Sequence, residues 1–517
     1  MISRFLTFAF FFLLHFAEAQ NEFITIWQPG ITTTPVQTVD APFQANANQI
    51  WFPGIGQNYT IEWEEVGYSS NNGTMINVTS TSQVLIDFGP TREEGQGATT
   101  KYRVKVSNGN GTFQQFKSVS YQIIGTVPAN MQSKGSLDKL LEIEQWGNIN
   151  WTSMDGAFAN CQRVLLTATD SPNLTNVTDA SLMFYLATSF SGAPSMQNWD
   201  TSNIEIFKHM FDCRHTSQVY SSGETFNSPI GTWNVSAATD LSYMFAGRQH
   251  FNQNLNFWNV SNVTNMAWMF AVCPVFNQPL NNWNTSSLEN IEFMFFLNHV
   301  FNQPLNNWDT SQVIKMNSAF SFATSFNQPL DSWDVSSVTT ISAMFSNASS
   351  FNQSLGSWDL SSLVNGLGPL QFSAINCQNY SATLAGWADN PNTPDNIDFG
   401  NNTPAQYAAN VVNKRDFLIN TKNWTISGDT QGSCILSTVE IKNNQKILIY
   451  PNPTSDFIYL NQISDAKKYQ IIDFSGRLVK HGELKEKWID VKSLTNGNYI
   501  LIIKTKEKEL NFKFIKD

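Results

Sequence analysis

Six tryptophans recur at a fixed interval of 25 residues: Trp233, Trp258, Trp283, Trp308, Trp333 and Trp358. An outward indole could stack on a sugar ring, whereas an inward one fills a core. All six share one register, which packing demands of every unit and a localised binding site does not, so they are read as core. Seven residues before each Trp stands a Phe, followed by Asn227, Asn252, Asn277, Asn302, Asn327 and Asn352. Amides stacked at one register can bond their own turn and the next unit. They are read as a ladder that satisfies turn groups otherwise buried without partners. The residue after Trp alternates: Asp200, Asn234, Asn259, Asn284, Asp309, Asp334 and Asp359. A calcium ladder needs carboxylates at most units. Three amides in succession favour turn hydrogen bonding instead.

Five cysteines stand at 161, 213, 273, 377 and 434. An odd count leaves at least one thiol free or intermolecular. With units ~4.8 Å apart, Cys161, Cys213 and Cys273 are separated by about 9–10 Å at each step, beyond disulfide reach. These three are expected to be buried free thiols; Cys377 and Cys434 could pair, and the sequence leaves that open. His209, His215, His250, His299 and His481 show no metal-ligand spacing, and no nucleophile elbow, P-loop or dinucleotide fingerprint is present. Glu64-Glu65 and Glu93-Glu94 read as solvated charges. Glycosidase carboxylates pair in space rather than in sequence, so a secreted glycan-active enzyme or carbohydrate-binding accessory stays as the rival. No catalysis, cofactor or metal is expected.

The 517 residues are 14% charged and 13% aromatic, with 39 Phe, which implies packed cores rather than disorder. A net charge of −11 argues against nucleic acid or an anionic membrane as partner. Residues 1–19 carry Arg4, an apolar run from Phe5 to Phe16, and Ala17-Glu18-Ala19. These are the parts of a signal peptide cleaved before Gln20. The run is short for a membrane span and no other segment approaches one.

What positions the Trp and Asn residues is a 25-residue repeat. Phe226, Phe251, Phe276, Phe301, Phe326 and Phe351 keep the period, as do Met244-Phe245, Met269-Phe270, Met294-Phe295, Ala319-Phe320 and Met344-Phe345. Met183-Phe184, Met210-Phe211 and Ala157-Phe158 extend it upstream with insertions. Alternation around Trp predicts a short strand, and apolar residues at three- and four-residue steps before Met-Phe predict about two helical turns. Ser286 with Glu289 resembles a capping box opening such a turn. Units this short must stack, giving a mainly β solenoid of about eight coils over 137–370.

The units "FNQPLNNWDTS…MNSAF" resemble the BspA-like leucine-rich-repeat surface proteins of bacteria. The flanks differ. Residues 20–125, with runs such as "YTIEWEEV" and "KYRVKVS", predict an immunoglobulin-like β-sandwich, followed by a linker at 126–136. Residues 371–434 are expected to cap the solenoid, with Thr403 as N-cap and Pro404 opening a helix, and a second linker follows at 435–446. Residues 447–517 read as a small β-sandwich. There Tyr450-Pro451-Asn452-Pro453, Gly476, Gly497 and Tyr499, with a terminal Lys-Phe-Ile-Lys, resemble the C-terminal sorting domain of type IX secretion in Bacteroidota. That resemblance implies the type IX machinery as partner and a secreted or outer-surface location.

The expected function is an adhesin or macromolecule-binding scaffold, with a protein or glycan ligand on host, matrix or neighbouring cell. The excursion at 212–225, with Arg214, His215 and Tyr220, breaks the period. It is the candidate contact loop, because insertions in repeat arrays form loops.

Overall fold

The computed structural model describes residues 21–31, 45–90, 99–124, 127–214, 224–436, 449–450, 454–460, 468–473, 477–484, 488–504 and 509–516. Ala17, Ala19, Gln20, Glu93, Glu94, His215, Tyr220, Pro451, Asn452, Pro453, Gly476 and the segment 437–446 lie outside them. The chain forms two compact units, Met1–Leu436 and Ser437–Asp517.

The repeats of the first unit contain neither the predicted strand nor the predicted helix. Each Met-Phe segment is a run of tight turns in which alternate amides have different fates. In one coil Met244 N, Ala246 N and Arg248 N donate to Leu241 O, Tyr243 O and Phe245 O, closing turns within the coil. The amides between them, of Leu241, Tyr243, Phe245 and Gly247, donate to Asn265 O, Ala267 O, Met269 O and Ala271 O of the next coil. The same four bonds join the coils at Met266–Val272, Ile291–Leu297, Met316–Phe322 and Ile341–Asn347 to their successors. A parallel bridge runs through Asp179, Ile206, Asp240, Asn265, Asn290, Lys315, Thr340 and Asn365, one residue per coil and well away from Trp. Three-residue turns place apolar side chains at the i, i+3, i+4 steps that also mark a helix, which explains the misreading. Ser286 likewise opens no helix; its amide bonds Asn284 Oδ1.

Side chains reinforce this ladder from inside. The Phe rings stack in register, with centroids 5.9 Å apart from Phe226 to Phe251 and 6.1 Å from Phe301 to Phe326. The six period Trp residues are only 1–3% exposed. Each donates its indole N–H to a carbonyl one coil back, as Trp308 does to Leu280 O at 3.0 Å and Trp333 to Leu305 O at 3.0 Å. This satisfies the one polar atom of a buried indole. The Asn column staples coil to coil: Asn277 Oδ1 accepts from Asn302 N at 3.0 Å, and Asn302 Oδ1 from Asn327 N at 3.0 Å. The Gln that follows adds its side-chain N–H to the same oxygen, as Gln328 does to Asn302 at 3.0 Å.

Upstream, eleven strands precede and enter the array. They are β1 (Phe23–Trp27), β2 (Gln49–Phe52), β3 (Gly54–Glu65), β4 (Tyr68–Ser80), β5 (Val84–Asp87), β6 (Tyr102–Ser107), β7 (Thr112–Phe116), β8 (Val119–Ile124), β9 (Val127–Ser133), β10 (Leu140–Gln145) and β11 (Leu165–Leu166). Among the described residues they make one seven-stranded sheet, ordered β11-β10-β1-β6-β3-β4 with β7 on β3, and the two-stranded pairs β2-β5 and β8-β9. This is not the immunoglobulin-like division into two matched sheets. Nor is 126–136 a linker: β9 pairs with β8, and Ser136 N bonds Trp51 O at 2.8 Å. The sheet passes into the array itself, since β10 pairs antiparallel with β1 and parallel with β11. Phe23 meets Trp151 edge to face at 5.1 Å, and one apolar core runs from Phe23 to Ile426. An exposed first coil would leave its ladder amides and apolar end in water, so a cap that continues the sheet is the economical solution.

At the other end, α1 (Cys377–Asp389) and α2 (Val412–Asn420), with β12 (Asp398–Asn401), β13 (Gln406–Tyr407), β14 (Thr425–Ser427) and β15 (Thr430–Gln431), close the core. The Asn column terminates here: Asn376 N bonds Asn352 Oδ1 at 2.8 Å, and Asn376 caps α1 by accepting from Asn379 N at 2.8 Å. Trp387 bonds Leu355 O at 2.9 Å in the manner of the period Trp residues. Thr403 and Pro404 start no helix. They sit in a turn where Thr403 N bonds Asn401 Oδ1, and α2 begins at Val412. Cys377 and Cys434 form a disulfide with Cα atoms 6.2 Å apart; Cys161, Cys213 and Cys273 are buried free thiols.

In the second unit β16 (Ile449–Tyr450), β17 (Phe457–Leu460) and β20 (Trp488–Asp490) form one antiparallel sheet, and β18 (Lys468–Asp473), β19 (Leu478–Glu483), β21 (Gly497–Lys504) and β22 (Glu509–Lys516) another. Ile458, Leu460, Ile471, Val491, Leu501 and Phe514 pack between them. Gly497 begins β21 and Tyr499 is buried, donating its hydroxyl to Thr495 O at 2.8 Å.

Two outcomes follow for thermal unfolding of the mature protein. Trp308→Ala removes a buried ring and its bond to Leu280, so the array should lose about 3–5 kcal/mol and melt lower. Cys434→Ser opens a loop of 57 residues, for which chain entropy predicts a loss of about 4 kcal/mol; an unchanged midpoint would show that the disulfide does not hold the cap.

Candidate functional site

The second and fourth inter-coil amides of each turn run belong to residues with left-handed backbones. One column reads His209 (φ +56°), Tyr243 (+62°), Trp268 (+61°), Phe293 (+55°), Ser318 (+55°) and Ala343 (+52°). A second, four residues on, reads Val272 (+59°), Leu297 (+57°), Phe322 (+59°), Asn347 (+60°) and Phe372 (+57°). A side chain with a Cβ costs about 1–2 kcal/mol in this conformation, and bulky residues are the rarest there. The flanking Met and Phe residues are buried, and so are His209, Tyr243, Val272 and Ser318 of the columns, while the other column residues reach the surface. Trp268, Phe293, Phe296 and Leu297 are half-buried, and Phe322 and Phe372 are 38% and 51% exposed.

The rings form a continuous stripe. His209 stacks on Tyr243 at 4.2 Å, Tyr243 on Trp268 at 5.6 Å and Trp268 on Phe293 at 4.2 Å. Phe293 meets Phe296 edge to face at 5.6 Å, and Phe296 meets Phe322 at 6.0 Å. Two later coils place Ser318 and Ala343 in the first column and an earlier one places Leu182 there, so the run of rings is a departure from the repeat rather than part of it. That departure was visible in "NMAWMF" and "NIEFMFF", where aromatics fall outside the repeated positions. In a helix these aromatics would only widen the apolar face, so the helical pattern does not single them out.

The stripe starts beneath Arg214, whose guanidinium lies 4.6 Å from the Tyr243 ring and 4.9 Å from the Trp268 ring. Arg214 also grips Asp212 through Nε at 3.0 Å and Nη2 at 2.8 Å, and His209 Nδ1 lies 2.7 Å from Asp212 Oδ2. Burial opposes ionisation of Asp212, but Arg214 and His209 outweigh it and hold the carboxyl far below the ordinary range. Gly247 is required beside this cluster, because a Cβ there would lie 2.9 Å from Arg214 N. The return of the excursion is fixed by Glu224 and Arg248, both fully buried and paired at 3.0 Å. Glu224 also accepts from Phe226 N at 2.6 Å and Gln249 N at 2.8 Å. Arg214 is thus an anchor of the excursion's stem and a lid on the first rings.

The remaining chemical candidates are structural here. The period Trp and Asn residues form the core and the staples already described. Asp309, Asp334 and Asp359 accept from the amide two residues ahead at 3.0–3.1 Å, as do Asn259 and Asn284 at 3.2 Å. These are turns that Asp and Asn make equally well. No cluster of three His, Cys, Asp or Glu is placed to hold a metal among the described residues. Glu64 pairs with Arg103 at 3.0 Å. Burial raises the Cys161 and Cys273 thiols above their usual range, which keeps them protonated and unreactive.

Comparison with known families gives two matches. The family described as "Mycoplasma protein of unknown function, DUF285" matches residues 152–216, 212–297 and 278–381. The "Secretion system C-terminal sorting domain" matches residues 448–517. No curated protein matches the chain. The array therefore carries DUF285 repeats, a BspA-like surface repeat type, and the second unit is a type IX sorting domain. The protein is a type IX secreted repeat protein, exported to the cell surface or extracellular space. No helix among the described residues is long and apolar enough to cross a membrane.

The Asp212 cluster has a pH signature. A depressed folded-state carboxyl contributes stability above the unfolded value of about 4 and loses it as pH falls through the folded value. Asp212→Asn should lower the melting temperature by a constant amount above about pH 5, and the gap to wild type should close in strong acid. A gap that widened with acidification would refute the pairing.

Proposed function

We propose that the protein is a non-enzymatic adhesin or macromolecule-binding scaffold of the leucine-rich BspA-like kind, exported from a Bacteroidota-like cell. Its binding face is the aromatic stripe from Trp268 to Phe322, extended by Phe372. One observation carries this: large apolar side chains, half-buried at Trp268, Phe293 and Leu297 and exposed at Phe322 and Phe372, occupy left-handed positions where the coils from Ser318 to Asn347 have Ser, Ala and Asn. Packing does not require them, and they cost backbone strain. Strained and exposed apolar positions concentrate at functional surfaces. The period Trp and Asn residues serve the scaffold, the N-terminal sheet caps and projects it, and the sorting domain addresses the type IX machinery.

The test is binding of the mature protein to an array of matrix proteins and glycans, compared with a Trp268→Ser/Phe293→Ser/Phe322→Ser variant. Aromatic anchors contribute about 1–2 kcal/mol each, so the variant should lose binding more than about tenfold while its melting temperature stays near wild type. Unchanged binding by the variant would displace the stripe from this role. Turnover of a glycan without binding to any protein would replace the adhesin reading with the enzymatic one.

A further inference from the structure

We infer that the stripe takes a polypeptide segment with apolar and basic side chains; this rests on the reading of the stripe as the binding face. Sugar recognition by aromatics uses the open face of a ring, and at Tyr243 and Trp268 both faces are taken, while Phe296 meets Trp268, Phe293 and Phe322 only edge to face. Tyr243 lies between His209 and Trp268, and Trp268 between Tyr243 and Phe293, with interplanar angles of 18°, 8° and 16°. Rings stacked along the array present their edges outward. Ring edges are electropositive and so suit apolar side chains and peptide carbonyl oxygens.

The backbone narrows the mode of binding. The amides of Trp268, Val272, Phe293, Leu297 and Phe322 all donate to the next coil, so the face offers no free edge for strand addition, and recognition passes through side chains. Charge sets the partner's sign. Between 226 and 376 the chain carries seven carboxylates and only Arg248 and Lys315 as basic residues; Arg248 is fully buried against Glu224, and Arg214, over the first rings, is paired with Asp212. Glu292, half-buried, directly precedes Phe293 in the chain, and Glu289, exposed, stands four residues before it. An acidic flank beside an apolar stripe complements a cationic amphipathic segment. The second column from Val272 to Phe372 covers four coil steps, about 19 Å, which matches three to four turns of helix.

A random 15-residue phage-displayed peptide library panned on the mature protein, beside a glycan array, tests this. The expected consensus carries apolar residues at helical spacing with Lys or Arg. Affinity should fall more than about tenfold in Phe293→Ser/Phe322→Ser, and several-fold in Glu289→Gln/Glu292→Gln, with the latter effect lost at high salt. Selected peptides that are acidic, or that ignore both substitutions, overturn the inference. A glycan that binds instead, and is lost with Phe293 and Phe322, overturns it while leaving the binding face intact. If neither peptides nor glycans bind the stripe, the proposed function fails with it.

Discussion

Every second amide of the Met-Phe turns is committed to the next coil, and the rest of the first unit depends on that commitment. Turn runs alone leave half of their N–H groups unsatisfied, a cost of about 1–3 kcal/mol for each buried group. Stacking a copy of the same turn at ~4.8 Å removes the debt for both. No coil is therefore stable alone, and the ladder is kept even where insertions lengthen the period, as from Phe184 N to Met210 O and from Phe211 N to Met244 O. Where the period breaks, at 212–225, two ion pairs, Asp212 with half-buried Arg214 and the fully buried Glu224–Arg248, hold the ends of the excursion in place.

The same commitment sorts side chains. Alternate amides can point forward only if some residues adopt the left-handed conformation, and those residues turn their side chains away from the core. Met and Phe between them fill the interior, where their rings repeat at about the coil spacing. The outward positions are thus free of the packing constraint, although not of the backbone one. Small or amide residues suffice there at Ser318, Ala343 and Asn347, whereas the stretch from Tyr243 to Phe322 spends strain on a run of rings. The ends of the array obey the ladder as well: β10 and β11 extend the N-terminal sheet into it, and Asn376 passes the Asn column to a helix.

Much of this was legible in the residues. Trp308 and its five equivalents were assignable to the core because one register admits one role, and Asn302 could be read as a staple because an amide both donates and accepts. The secondary structure of the unit was not legible. Leu241, Met244 and Phe245 have helical spacing, yet three-residue turns produce the same spacing, and only inter-coil hydrogen bonds choose between them. Pro128 and Gly135 made 126–136 look like a linker, although pairing to β8 needs only alternate amides, which Pro128 leaves intact. Trp268 and Phe293 escaped notice for the reason that hid the turns: in a helix they would have widened an apolar stripe, whereas in a left-handed turn they leave the core.

The central claim is that residues two apart belong to opposite worlds, one holding coils together and one presented outward. Thermal unfolding of Phe320→Ala beside Phe322→Ala measures this directly. Phe320 is buried between Phe295 and Phe345, with ring centroids at 5.4 and 5.6 Å, while Phe322 stands in the outward left-handed column. Phe320→Ala should destabilise by about 3–5 kcal/mol and Phe322→Ala by less than about 1 kcal/mol. Equal losses at the two positions would contradict the division on which both scaffold and binding face rest.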